Sequence, residues 1–152
     1  DPGALRRGSR RTRPVLAANL NRMLRSVGQL YAPVLRALTP VRTGRLRAST
    51  RFQVLGHGLD QRLEVRQGAR TRGGSFYGHF VRGGTRPHLI VPVRASTLAF
   101  EGGGRTVFAR RVRHPGTRPN PYHVRAWRQV RGAVDGLVRQ TGHRIMAELT
   151  RR

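Results

Sequence analysis

Apolar residues recur every three or four positions in two long stretches, one towards each end of the chain, while the middle breaks into short alternating pieces. The first stripe is Leu16, Leu20, Met23, Leu24, Val27, Tyr31, Val34, Leu35 and Leu38, a spacing that puts these side chains on one face of a long helix. Arg22, Arg25, Gln29 and Arg36 fall largely outside it. Pro14 is the expected start, since a proline at the first helical position gives up an amide that has no partner there. Thr39-Pro40 is the expected end. Pro33 is expected to bend or split the helix by removing a ladder hydrogen bond and crowding the preceding turn. The second stripe is Trp127, Val130, Val134, Leu137, Val138, Ile145 and Leu149. It follows Asn120-Pro121, a capping residue and a helix-starting proline, and it is weakened by Gly132, Gly136 and Gly142.

Between the stripes, β-prone runs alternate with glycine, the texture of an antiparallel sheet with hairpin connections. Candidate strands cover residues 51–55, 61–66, 76–81, 89–93 and 105–112. In Arg62-Leu63-Glu64-Val65-Arg66 the alternation is strict, so one face is wet and the other packed. Residues 67–75 read as a Gly/Arg-rich mobile loop, and Gly102-Gly103-Gly104 as a hairpin tip. The predicted fold is α+β: a long N-terminal helix, a small antiparallel sheet with long Gly/Arg-rich loops, and a long C-terminal helix packed on the sheet. Residues 1–13 read as a flexible basic arm, and 14–152 as a single α+β domain.

Charge changes this picture more than composition does. Thirty-one basic residues against 6 acidic ones give a net charge of +25, and every basic residue is arginine. Codon usage in a GC-rich genome explains the lack of lysine, but it does not remove Asp and Glu. The positive sign therefore points to an anionic partner: nucleic acid, acidic lipid or an acidic protein face. Apolar residues are 37%, with 19 Gly and 9 Pro, which predicts a modest core. The absence of cysteine excludes disulfides, thiolate metal sites and a cysteine nucleophile. No apolar run approaches the roughly 20 residues of a membrane helix.

Candidate chemistry is sparse. Asp135 and Glu148 fall on the second helix, and Asp60, Glu64 and Glu101 form no pair with a motif context. His79 and His88 flank one turn, His114 and His123 another, yet no His-x-His or HExxH spacing of a metal site occurs. The expectation is no catalytic residue, no cofactor and no metal. Arg70-Thr71-Arg72-Gly73-Gly74 is able to lie along phosphates, but no helix-turn-helix, zinc finger or RNP aromatic pair accompanies it. The turn Gly84-Thr85-Arg86-Pro87 recurs as Gly116-Thr117-Arg118-Pro119, two turns with the same chemistry.

Three stretches resemble the small neck or tail-completion (head-to-tail connector) proteins of Hong Kong 97-type long-tailed bacteriophages. Thr39-Pro-Val-Arg-Thr-Gly-Arg-Leu-Arg-Ala-Ser49 resembles that family's Pro-x-x-Thr-Gly-x-Leu-x-x-Ser signature. Tyr77-Gly-His-Phe-Val-Arg-Gly-Gly-Thr-Arg-Pro-His88 is similar to its Tyr-x-x-hydrophobic-x-x-x-Gly-Thr strand and turn. Val112-Arg-His-Pro-Gly-Thr-Arg-Pro-Asn-Pro-Tyr122 resembles the turn into its last helix. They stand in the family's order, and the resemblance covers about residues 14–149. Two positions depart: the family often has an acid where Arg82 stands, and Phe where Tyr122 stands.

In the first stretch, Thr43 is a possible cap, Gly44 permits a sharp turn, and Leu46 returns to the core while Arg42, Arg45 and Arg47 point outward. The resemblance implies a non-enzymatic virion protein, made in the host cytoplasm and assembled as a homo-oligomeric ring between head and tail. Its implied partners are other neck, portal-side and tail proteins, with weak nonspecific contact to double-stranded DNA and no membrane. Arg42, Arg45, Arg47, Arg70, Arg72, Arg86 and Arg118 are the candidate partner or DNA-backbone contacts. The alternative is a basic nucleic-acid-binding protein without sequence preference.

Overall fold

The computed structural model describes residues 2–71 and 74–151, and side chains from residue 12 onward. In chain order its elements are α1 (Pro2–Leu38), α2 (Arg45–Ala48), β1 (Thr50–His57), β2 (Asp60–Gln67), α3 (Gly78–Gly83), β3 (His88–Ile90), β4 (Leu98–Gly102), β5 (Arg105–Ala109), β6 (Val112–His114) and α4 (Tyr122–Thr150). The class is α+β, with two long helices and small antiparallel sheets. They fall into two compact units, Asp1–Gly78 with Tyr122–Arg152, and His79–Pro121.

In the larger unit α1 packs along α4, and the hairpin β1–β2 lies against α1. Val27 meets Val130 and Val134, with Tyr31, Val34, Leu137 and Leu63 of β2 packed around them. The Tyr31 ring stands edge-on to Trp127, with centroids 6.2 Å apart. Gly28 sits at the crossing of α1 and β1, where a Cβ would run into the Phe52 ring. Pro33 does not split α1, which continues through it to Leu38; its ring lies on the exposed side, where water can satisfy the carbonyl that loses its donor. The helical backbone also begins at Pro2, leaving Pro14 inside α1. α4 starts at Tyr122, one residue after Pro121, the expected first helical position.

Three further expectations change. Residues 76–81 are not a strand but lead into α3; Tyr77 and Val81 are four apart, so a short apolar run fits a helical turn as well as a strand. Residues 105–112 break between β5 and β6, which pair with different partners, β4 and β3. The helix α2 has Gly44 as its N-cap, at φ 74° and with no side-chain cap, so Thr43 does not play that part.

In the smaller unit, two antiparallel ribbons, β3–β6 and β4–β5, are joined by loops. The β4–β5 tip is the expected glycine turn, with Gly103 at φ 60° and Gly104 at φ 77°. Residues 79–121 contain no buried residue.

Candidate functional site

The first resemblance stretch is held from beneath by polar groups. Thr39, at the end of α1, and Thr50, at the start of β1, are both buried. Thr39 Oγ1 donates to the Leu35 carbonyl at 2.6 Å, and Thr50 Oγ1 to that of Arg47 at 2.9 Å. Gln67 Nε2 then donates to both hydroxyl oxygens, at 2.8 Å and 3.0 Å, and Gln67 Oε1 accepts from the Tyr122 hydroxyl at 2.5 Å. One amide therefore joins the end of α1, the start of β1, the end of β2 and the first residue of α4. Buried polar groups demand such pairing. Leu46 is buried, and Arg42, Arg45 and Arg47 point outward as expected, Arg47 also reaching the Thr39 carbonyl at 3.4 Å.

A third buried polar residue, Asn19, ties α1 to α4. Its Nδ2 donates to the Glu148 carboxylate at 2.9 Å and to the Val15 carbonyl at 2.9 Å, while its Oδ1 accepts from Arg22 at 3.0 Å. Neither Gln67 nor Asn19 was singled out from the sequence. Asn19 carried a signal, being a polar residue inside the stripe Leu16, Leu20, Met23; Gln67 carried none, because it reads as the first residue of a loop.

Of the expected loop 67–75, Gln67 is the last residue of β2, and Arg70 forms an antiparallel bridge with Phe76. The Thr71 amide donates to the Ser75 carbonyl at 2.9 Å, and Arg70 Nη1 to that of Gly74 at 2.7 Å. Arg70 is exposed; Arg72 lies outside the described residues.

In the smaller unit the two Gly-Thr-Arg-Pro turns pair with each other. Thr85 N–H donates to the Thr117 carbonyl at 3.0 Å, Thr117 N–H to that of Thr85 at 3.1 Å, and the two hydroxyls lie 3.1 Å apart. Gly84 and Gly116 stand at φ 70° and 85°, and a Cβ on either would strike the carbonyl of the opposite threonine. Next to this clasp, His88 and His114 face each other across β3–β6, with rings stacked at 4.9 Å. His88 Nδ1 donates to the Arg86 carbonyl at 2.9 Å, whereas His114 Nδ1 accepts from the Gly116 amide at 3.0 Å. His114 therefore carries its proton on Nε2. Arg86 and Arg118, one from each turn, are both exposed.

The expected contact arginines are thus distributed, with Arg42, Arg45, Arg47 and Arg70 on the larger unit and Arg86 and Arg118 on the smaller. Among the described residues no group of three or more His, Asp or Glu side chains converges as a metal ion would need. Glu64 is held by Arg66 at 2.8 Å and by Gln53 Nε2 at 3.1 Å. The Gln53 hydrogen bond, then Arg66, keeps the Glu64 carboxyl below the ordinary glutamate range. No described helix is long and apolar enough to cross a membrane.

Apolar exposure is the abnormal feature. On the smaller unit Val93 is 93% exposed, Phe108 69%, and Leu89, Val91 and Phe100 are also open. The larger unit carries an open apolar groove of about 320 Å³ lined by Leu16, Leu20, Met23, Leu59, Val138 and Ile145. Comparison with protein-family models, curated proteins and solved structures finds no match.

Proposed function

We propose that this chain is a non-enzymatic structural subunit of the phage neck, forming a ring that joins the DNA-filled head to the tail. The observation that carries this reading is the smaller unit, which shows large apolar side chains yet has no buried residue. Two-stranded ribbons are marginal by themselves in water, and apolar exposure of this kind marks a surface that neighbours cover. A virion subunit supplies such neighbours. The resemblance of the three stretches supplies the particular assembly.

Gene order and imaging test it together. The reading expects the gene between those for portal and major capsid on one side and tail tube on the other, and density for the chain at the head–tail junction of virions. A chain that stays monomeric at high concentration and is encoded away from such genes overturns it.

The second reading, a nucleic-acid-binding protein without sequence preference, is favoured by the net charge of +25 and the scattered exposed arginines. Salt separates the two. Six to ten phosphate contacts cost roughly a thousandfold or more in affinity between about 50 and 200 mM salt. A neck subunit through which DNA slides lets duplex go near physiological salt, and tight binding there favours the second reading.

A further inference from the structure

We propose that the hairpin β4–β5 is a docking element that seats in an apolar cleft with a carboxylate-bearing rim on a different protein. Cross-strand partners share a face of the ribbon. The register Leu98 to Ala109, Ala99 to Phe108, Phe100 to Val107 and Glu101 to Thr106 therefore puts Leu98, Phe100, Val107 and Ala109 on one side. Ala99 and Phe108 stand on the other. Phe100 is 41% exposed and Phe108 69%. A ribbon lying on a protein surface alternates apolar inside and polar outside, whereas strands with apolar residues on both faces are covered on both. A flat neighbour covers only one phenylalanine; a cleft covers both.

Charge selects the occupant. Residues 79–121 hold eight arginines and a single acid, Glu101, and Arg94, Arg105, Arg110 and Arg111 are exposed on or beside the hairpin. The same hairpin on a second copy would set Arg94, Arg105, Arg110 and Arg111 against their own kind, with Glu101 the one acid of residues 79–121 to offset them. Like charges juxtaposed across an interface oppose association. Duplex DNA offers phosphates but no apolar surface for Phe108. Single strands stack bases on aromatic rings, and the remaining hairpin side chains, Leu98, Val107, Ala99 and Ala109, have none. An apolar protein cleft rimmed by Asp and Glu answers both features.

The inference stands apart from the neck reading, since it concerns the hairpin of the isolated full chain. The test titrates that chain at physiological salt with a labelled peptide of alternating leucine and glutamate, its serine–glutamate counterpart, and a dT20 oligonucleotide. Wild type is expected to bind the leucine–glutamate peptide about tenfold or more tighter than the serine–glutamate one, as apolar anchors dominate such contacts. Phe100→Ser with Phe108→Ser should remove that preference, Phe108→Leu should keep it, and Arg110→Gln with Arg111→Gln should weaken both peptides. Equal binding of the two peptides by wild type overturns the proposal, with no variant needed. So does self-association in sedimentation that the double serine variant abolishes, which makes a second copy the occupant. Retention of dT20 at this salt that depends on Phe108 overturns it in favour of single-stranded nucleic acid.

Discussion

Gln67 and Tyr122 stand 55 positions apart and meet through one hydrogen bond, the tyrosine hydroxyl donating to the amide oxygen at 2.5 Å. Tyr122 is fully buried and the first residue of α4. Where the resembling family has Phe, this chain has a hydroxyl, and Gln67 is the group that uses it. The same amide donates to Thr39 and Thr50, so its removal leaves three hydroxyls without that partner.

Gln67→Leu is accordingly expected to destabilise the chain by about 3 kcal/mol, three hydrogen bonds being lost, and Tyr122→Phe, which loses one, by about 1 kcal/mol, since a hydrogen bond contributes roughly 1 kcal/mol net. Urea unfolding followed by circular dichroism reads both. A Gln67→Leu protein as stable as wild type would show that the network is ornamental.

Val130→Asp is expected to abolish soluble folding. Val130 is 6% exposed and packed with Val27 and Val134, so a carboxylate there would be taken out of water among apolar side chains. Recovery of a soluble variant with the helical spectrum of wild type would contradict the assignment of this face as core.

Gly84→Ala and Gly116→Ala should each open the clasp between the two turns, because both positions need a positive φ and each added methyl meets the facing carbonyl. The readout is amide hydrogen exchange: Thr85 and Thr117 should exchange about tenfold or more faster, with protection in α1 and α4 unchanged. Unaltered exchange at both threonines would mean that the turns do not depend on each other.

Glu64 should titrate below an ordinary glutamate in carboxyl-carbon NMR, chiefly through Gln53 and then Arg66. With a folded-state value below the unfolded one, the stabilisation is complete above the unfolded value and is lost as pH falls through the folded one. Gln53→Leu should move the midpoint back up; a midpoint unmoved by that change would assign the shift elsewhere.

The two helices were legible because their apolar residues keep one period for many turns, and a cap with proline marks where α4 begins. Leu46 and the Gly103-Gly104 tip were legible for equally local reasons. Residues 76–81 were not, since Phe76, Tyr77, Phe80 and Val81 satisfy strand propensity and one helical turn alike. Strand partners escaped too: nothing local tells β5 to pair with β4 and β6 with β3. The repeated Gly-Thr-Arg-Pro was visible as two turns, but that Thr85 binds Thr117 is decided by residues far apart in sequence. Candidate contact arginines were placed outward correctly at Arg42, Arg45 and Arg47 because Leu46 between them is apolar. The exposed hairpin phenylalanines went unnoticed because Phe100 and Phe108 look like core residues until the fold shows them 41% and 69% exposed.

The smaller unit, with no buried residue of its own, has a thermodynamic consequence. Anything that binds only the ordered form stabilises it by an amount that grows with the logarithm of its free concentration. The melting temperature of residues 79–121 is then a property of the mixture, rising as partner is added, while α1 and α4 melt at a temperature set by their own packing. Two transitions that converge on titration are the calorimetric signature of a subunit finished by its neighbours.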